Sequence, residues 1–211
     1  MKLIVISSST LMENEARLIT RLFEMGLETF HLRKPKLSTK LTKELLNSIP
    51  KHFHNRIILH SHHNLARTYD VKGVHLTKLH KKKTWSTWYN LRIIKIKKPS
   101  IIITSSYNTI GNILEPANKY HFSYVFLSPI FDSLTSRFQG GFTEFSLKSA
   151  LAKSKLKVIA RGGVDSSCIE RARDIGFDGI ALYSHMWKAK DPVAEFNSVV
   201  EKFMELGIPI E

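Results

Sequence analysis

"KVIARGGVDSSCIERARDIGFDGIALYS", Lys157 to Ser184, carries two short β-branched runs on either side of a charged segment, with two adjacent glycines where the first run ends. A short apolar run bounded by glycine reads as a buried strand, and the segment from Ser166 to Ile175 reads as a helix. Strand, helix and strand in this order make one βαβ step, which a right-handed crossover turns into two parallel strands.

The same unit recurs outward from this stretch. Lys2–Ser7 reads as a strand followed by a helix over residues 13–26, with Ala16, Ile19, Leu22 and Phe23 at helical spacing and Gly26 as its stop. Thr29–Lys34 precedes a helix over 38–49, Arg56–Ser61 a short helix over 63–69, and Gly73–Thr77 the basic segment Leu79–Lys98, the one helix without a clean apolar stripe. Ser100–Ser106, Tyr124–Phe131, residues 157–162 and 179–184 complete eight strands; helices are expected near Asn108–Lys119, Ser146–Ser154, Ser166–Ile175 and Pro192–Leu206. Continuous apolar strands, each followed by a helix, are buried on both faces. The expected fold is α/β, a single (β/α)8 TIM-barrel domain over residues 1–211, with a doubly wound sheet as the alternative.

Composition sets further limits. The chain has 211 residues, 43% of them hydrophobic, enough for one sizeable core. Its one cysteine, Cys168, can form no internal disulfide, and the apolar run in "MKLIVISSST" is too short for a signal peptide. A cytoplasmic protein is expected, without a membrane span, since no apolar run approaches the roughly eighteen residues one requires. The net charge of +14 invites a nucleic-acid reading. The segment Lys81–Lys98, with Trp85, Trp88 and Tyr89 among its lysines and no acid, is the candidate RNA-binding surface. The plainer reading is a solvated lysine face whose aromatics anchor the helix on the core, and it is preferred because the remaining basic residues are scattered.

In a barrel, Gly162 and Gly163 fall at the carboxyl end of the seventh strand, where backbone N–H groups reach an anion that no Cβ obstructs. Tyr183 and Ser184, beyond the eighth strand, add donors. The competing explanation is a tight turn needing positive φ.

Several blocks in one order resemble the thiamine phosphate synthase and thiazole tautomerase family: "HLRK" at His31–Lys34, "GVHL" at Gly73–Leu76, "IITSSYN" at Ile102–Asn108, "YVFLSPIFDSLTS" at Tyr124–Ser136, and the opening stretch itself. The resemblance implies coupling of hydroxymethylpyrimidine diphosphate with thiazole phosphate, giving thiamine phosphate and diphosphate. These phosphorylated thiamine precursors would be the partners, and a homodimer is compatible with the family. By position, Gly162, Gly163, Tyr183, Ser184, Ser133 and Thr135 would hold the thiazole phosphate. Arg33, Lys34, Ser106 and Arg137 would serve the diphosphate, with Arg33, Ser106 and Ser128 at catalytic positions. The family's Mg2+ rests on two aspartates, and Ser61 and His80 stand in their places. Neither suits Mg2+, which prefers hard, usually anionic oxygens. The lysine of the strand-two motif falls on Pro35, between Lys34 and Lys36, and a histidine is replaced by Asn108. The tautomerase branch does without the aspartates but places a histidine where Ser128 stands. A tautomerase or a non-catalytic precursor-binding protein therefore stays beside the synthase.

The histidines form a separate question. His60, His62 and His63, with His75 and His80, suggest a zinc or iron site, His60 and His62 sharing one face of an extended strand. Surface or supporting histidines are the plainer reading, with His31 and His75 as hydrogen-bonded core residues. Cys168 reads as a small core residue, and Asp132 as the acid of the loop after the sixth strand.

Overall fold

A computed structural model describes residues 1–114, 120–132 and 142–211. Eight parallel strands pair in chain order and close into a barrel: β1 Lys2–Ile6, β2 Phe30–Leu32, β3 Ile57–Leu59, β4 Gly73–Leu76, β5 Ile102–Tyr107, β6 Tyr124–Leu127, β7 Val158–Arg161 and β8 Gly179–Leu182. The (β/α)8 expectation holds. A doubly wound sheet would leave its edges unpaired, whereas β1 pairs with β8, Lys2 opposite Gly179 and Val5 opposite Leu182. The chain divides into two compact units, Met1–Val5 with Ser106–Glu211, and Ile6–Ser105.

In the first unit β6, β7 and β8 lie side by side, Val125 opposite Val158 and Ile159 opposite Gly179. The helix Pro192–Glu205 starts on Asp191, whose Oδ1 accepts from Val193 N and Ala194 N, with proline at the first helical position. It buries Phe196, Val199 and Phe203, each burial contributing about 1.5–3 kcal/mol. Helices Glu144–Lys153 and Ile169–Ile175 bury Leu147 and Ala150, and Ile169, Ala172 and Ile175.

In the second unit β2, β3, β4 and most of β5 pair, with His31 opposite Ile58, Leu59 opposite Val74 and His75 opposite Thr104. The helix Thr39–Asn47 is capped by Ser38, which accepts from Leu41 N at 3.2 Å. The helix Glu15–Glu24 buries Glu15, Ile19, Leu22 and Phe23. Its buried stripe thus begins on Glu15 rather than the half-buried Ala16.

Other differences from the expected elements have local causes. The sixth strand stops at Leu127 instead of Phe131, since Pro129 has no N–H to give a ladder. Residues His63–Arg67 form a 3-10 helix, and Arg56 closes another rather than opening β3. The eighth strand ends at Leu182, and Ser184 opens an unexpected short helix, Ser184–Lys188, ahead of the last one. The basic segment is helical over Lys78–Lys82 and Thr84–Lys97. Its buried line is Thr87, Leu91 and Ile94, one residue wide and polar at one end, which is why the sequence shows no stripe. Its aromatics do not anchor it: Trp85 is 84% exposed and Tyr89 62%. Of the helix expected over Asn108–Lys119, Gly111–Leu114 is helical and residues 115–119 lie outside the described residues.

Candidate functional site

The glycine loop after β7 lies within the first unit and lines a cavity of about 180 Å³ together with Ser128, Asp132, Arg161 and Ser184. That is several times the roughly 30 Å³ a water occupies in the liquid, room for a phosphate group and the start of what it esterifies. Gly162 and Gly163 have φ of 92° and 62°, a conformation that disfavours any residue with a Cβ. A Cβ on Gly163 would also lie 2.7 Å from Asp132 N. The turn explanation of the glycine pair therefore holds, and Gly163 is in addition packed closely against Asp132.

The loop's carbonyls are used inside the protein. Ile130 N donates to Arg161 O at 3.0 Å and Phe131 N to Gly162 O at 3.1 Å. The Cys168 thiol donates to Gly163 O at 3.3 Å, and burial raises that thiol's pKa, keeping it the protonated donor this contact needs. In the 3-10 helix that follows, Ser166–Cys168, the second amide is not available to an anion, because Ser167 N donates to Asp165 Oδ1 at 2.9 Å. Ser184 begins its helix and Tyr183 lies under the Arg161 guanidinium, 5.7 Å from the ring centroid. Cationic Arg161 is a site residue the sequence reading passed over. It is the last residue of β7, and strand ends on this side are where such groups stand.

The remaining candidates are distributed as follows. Ser106 lies within β5, half-buried. Ser133, Thr135 and Arg137 lie outside the described residues. In the second unit, Arg33 follows β2, its backbone held by Ser7: Arg33 N donates to Ser7 Oγ at 2.8 Å and Ser7 Oγ to Arg33 O at 3.1 Å. Lys34 is 2% exposed, its ammonium 2.6 Å from Glu15 Oε1 and donating to Thr10 O at 2.6 Å. Its charge is thus turned inward, a placement the strand pattern of "HLRK" does not reveal. Lys36 and Lys78 are exposed.

At the two positions where the resemblance implies metal-binding aspartates, Ser61 offers a neutral hydroxyl. The His80 Nδ1 accepts from Thr77 N at 3.2 Å and lies 2.9 Å from Thr77 Oγ1. Burial and then Lys83 lower the His80 pKa. A hydroxyl and an engaged imidazole do not fit Mg2+.

The four-residue run "HSHH" does not converge on one site. His62 adopts a left-handed φ of 52° and places Nε2 2.7 Å from Leu37 O and Nδ1 2.9 Å from Thr39 Oγ1. His60 instead joins His31 and His75, all three buried: His31 Nδ1 is 2.8 Å from His60 Nε2, and His75 Nδ1 is 2.9 Å from Thr104 Oγ1. His63 stacks beside His80, ring centroids 4.3 Å apart, with its buried Nε2 lacking a hydrogen-bond partner.

Burial, then the neighbouring His80, lower the His63 pKa to about 3. The residue as a whole is half-buried, but the nitrogen that would take the proton is covered, and the shift follows the nitrogen. Between the unfolded value of 6.5 and about 3 the unfolded chain binds the extra proton, so stability falls as pH drops through that window. The expected loss between about pH 7 and pH 5 is roughly 1–2 kcal/mol, read by urea unfolding. His63→Gln should flatten the profile, and an unchanged slope in that variant would show that His63 is not its source.

The sequence matches the family model for thiamine monophosphate synthase over residues 3–186. No curated protein sequence matches it. Among solved structures, the thiamine phosphate pyrophosphorylase from Bacteroides thetaiotaomicron is 26% identical with a TM-score of 0.76, covering 96% of this chain and 97% of that one. The thiamine phosphate pyrophosphorylase from Pyrococcus furiosus is 20% identical with a TM-score of 0.74, covering 97% and 96%. A 3-hexulose-6-phosphate synthase, 17% identical with a TM-score of 0.63 and coverage of 96% and 99%, shares the fold.

Proposed function

Since the chain belongs to the thiamine monophosphate synthase family, we propose that it binds thiazole phosphate in the cavity at Gly162 and Gly163 and couples it, slowly, to hydroxymethylpyrimidine diphosphate. The observation that carries this reading is the glycine loop, whose carbonyls are bonded within the protein. The loop lines the cavity together with Arg161 and Ser184, a set of backbone, guanidinium and hydroxyl donors that suits an anion. In the reaction a C–N bond forms between the thiazole nitrogen and the pyrimidine methylene carbon as the bond from that carbon to the diphosphate oxygen breaks. The protein's task is to hold the two substrates and balance the charge of the leaving diphosphate.

Arg33 is the cation that the resemblance assigns to that charge; its backbone is fixed by Ser7 and a guanidinium suits phosphate oxygens. Lys34 is committed to Glu15. Exposed Lys36 and Lys78 hold a diphosphate loosely, because salt screens them. Synthase turnover should therefore be weak and almost insensitive to Mg2+.

The test is an assay with both precursors, with and without Mg2+, on the unmodified protein and on Ser61→Asp, His80→Asp and the double variant. Two carboxylates sharing one ion should restore part of the turnover only together, by about tenfold or more, the gain expected from a hard-oxygen site. Robust Mg2+-dependent turnover by the unmodified chain would overturn the reading. Binding of thiazole phosphate without turnover in any variant would favour the second reading, a tautomerase-like or precursor-binding protein. The observation behind that alternative is the donor set of Ser61 and His80, and Ser128, lining the cavity where a tautomerase would need a proton-transfer histidine, favours its precursor-binding form.

A further inference from the structure

We propose that His31, His60 and His75 form a binding site for one transition-metal dication of the zinc class. Each of the three offers one ring nitrogen, and these nitrogens lie within 4.8 Å of one another. Tetrahedral zinc with nitrogen ligands at about 2.0–2.1 Å requires nitrogens roughly 3.4 Å apart. Reaching that spacing requires the stacked rings of His60 and His75 to turn out of parallel about their side-chain torsions, a change that leaves the strands in place.

The placement comes from three successive elements. His31 lies in the middle of β2, His60 follows the last residue of β3, and His75 lies within β4. The rings of His60 and His75 stack 4.0 Å apart at 14°, with His31 edge-on to both at 5.0 and 5.6 Å. The hydrogen bond between His31 and His60 needs an unprotonated nitrogen on one of them, the form that ligates a metal. His75 Nδ1 contacts the Thr104 hydroxyl, an arrangement that fixes the ring.

The surroundings agree with this assignment. The three residues are 0%, 6% and 2% exposed, and His60, the least covered, is the side from which an ion enters. Imidazoles buried this deeply are held by hydrogen bonds or by a metal, and binding free energy at such a site adds to the stability of the fold. His63 is a second sign, since its buried Nε2 lacks a hydrogen-bond partner and its ring lies against the backbone of His60 and His75. Three imidazoles leave one tetrahedral position for solvent or for His63. All-nitrogen ligation excludes Mg2+ and selects the later first-row metals.

The experiment uses the full chain, stripped with a chelator and checked for folding by circular dichroism, then titrated with Zn2+, Co2+ and Mg2+. One equivalent of Zn2+ or Co2+ should bind, Mg2+ should not, and Zn2+ should raise the melting temperature. His60→Gln should weaken Zn2+ affinity by at least about a hundredfold, more than is lost when only a supporting residue is changed. A variant with exposed His52, His121 and His185 all replaced by alanine should bind as the native protein does.

Should His60→Gln fail to fold, X-ray absorption on the native zinc form decides the matter by the number of imidazoles bound. Three or four support the site. Fewer than three, no Zn2+ bound by the folded native chain, or undiminished binding in folded His60→Gln overturns it.

Discussion

Gly163→Val removes binding of thiazole phosphate and costs the fold about 2–5 kcal/mol. Two effects add. A β-branched side chain at φ 62° pays roughly 1–2 kcal/mol for the left-handed conformation. Its Cβ would also stand 2.5 Å from Asp132 Oδ1 and 2.7 Å from Asp132 N. The carboxylate can swing aside, but the backbone nitrogen cannot, and such overpacking costs another 1–3 kcal/mol or so.

The same displacement turns the loop's amides away from the cavity. Each hydrogen bond to a charged oxygen is worth about 1.5–3 kcal/mol, so losing two weakens binding roughly a hundredfold or more. Gly207, with φ 63° and no atom within 4 Å of its would-be Cβ, supplies the control. Gly207→Val should show the conformational cost alone and bind ligand normally. Calorimetric titration with thiazole phosphate, beside urea unfolding of both variants, reads the two effects separately. Undiminished binding by Gly163→Val would remove the glycine loop from the site.

The second large effect concerns Lys34 and Glu15, whose side chains are each 1% exposed with Nζ 2.6 Å from Oε1. Glu15 Oε2 accepts from Met12 N at 3.3 Å, while Oε1 has the lysine's charge but no well-angled hydrogen bond. Lys34→Met leaves a carboxylate buried without its counter-charge, which costs about 3–5 kcal/mol. Glu15→Leu leaves the ammonium in the same position and should cost a similar amount.

The double variant removes both charges and keeps the volume, so it should return to within about 1–2 kcal/mol of the native protein. Urea unfolding of the four proteins forms a complete cycle. Additive losses in the double variant would mean that the pair is not coupled. Near-neutral single variants would mean that it is not buried as described.

Much of the fold is legible in the chain itself. The eight strands appear at their expected places because a strand buried on both faces reads as an unbroken apolar run, as "KLIVI" and "YVFL" do, whatever packs against it. The glycine pair is legible for a similar reason: positive φ after a strand is a demand on one or two residues. Glu15 also left a signal, standing four residues before Ile19 on the buried stripe, but an acid on an apolar stripe looks like an interruption until its partner is known.

Neighbouring residues thus decide together the alternation of strand and helix, the glycine loop after β7 and the blocks that mark the family. Which polar groups meet is decided by packing between distant segments. His31 and His60 are 29 residues apart, as are His75 and Thr104, and they come together through the pairing of β2 with β3 and of β4 with β5. Lys34 and Glu15 likewise meet across a strand and a helix. The physical reason is that periodicity reports which face of an element is buried, whereas the partner of a buried polar group is fixed by strand register and helix packing over long separations. No local pattern carries that information, and one residue of slip in a strand would send side chains such as His31, His75 and Thr104 to the other face.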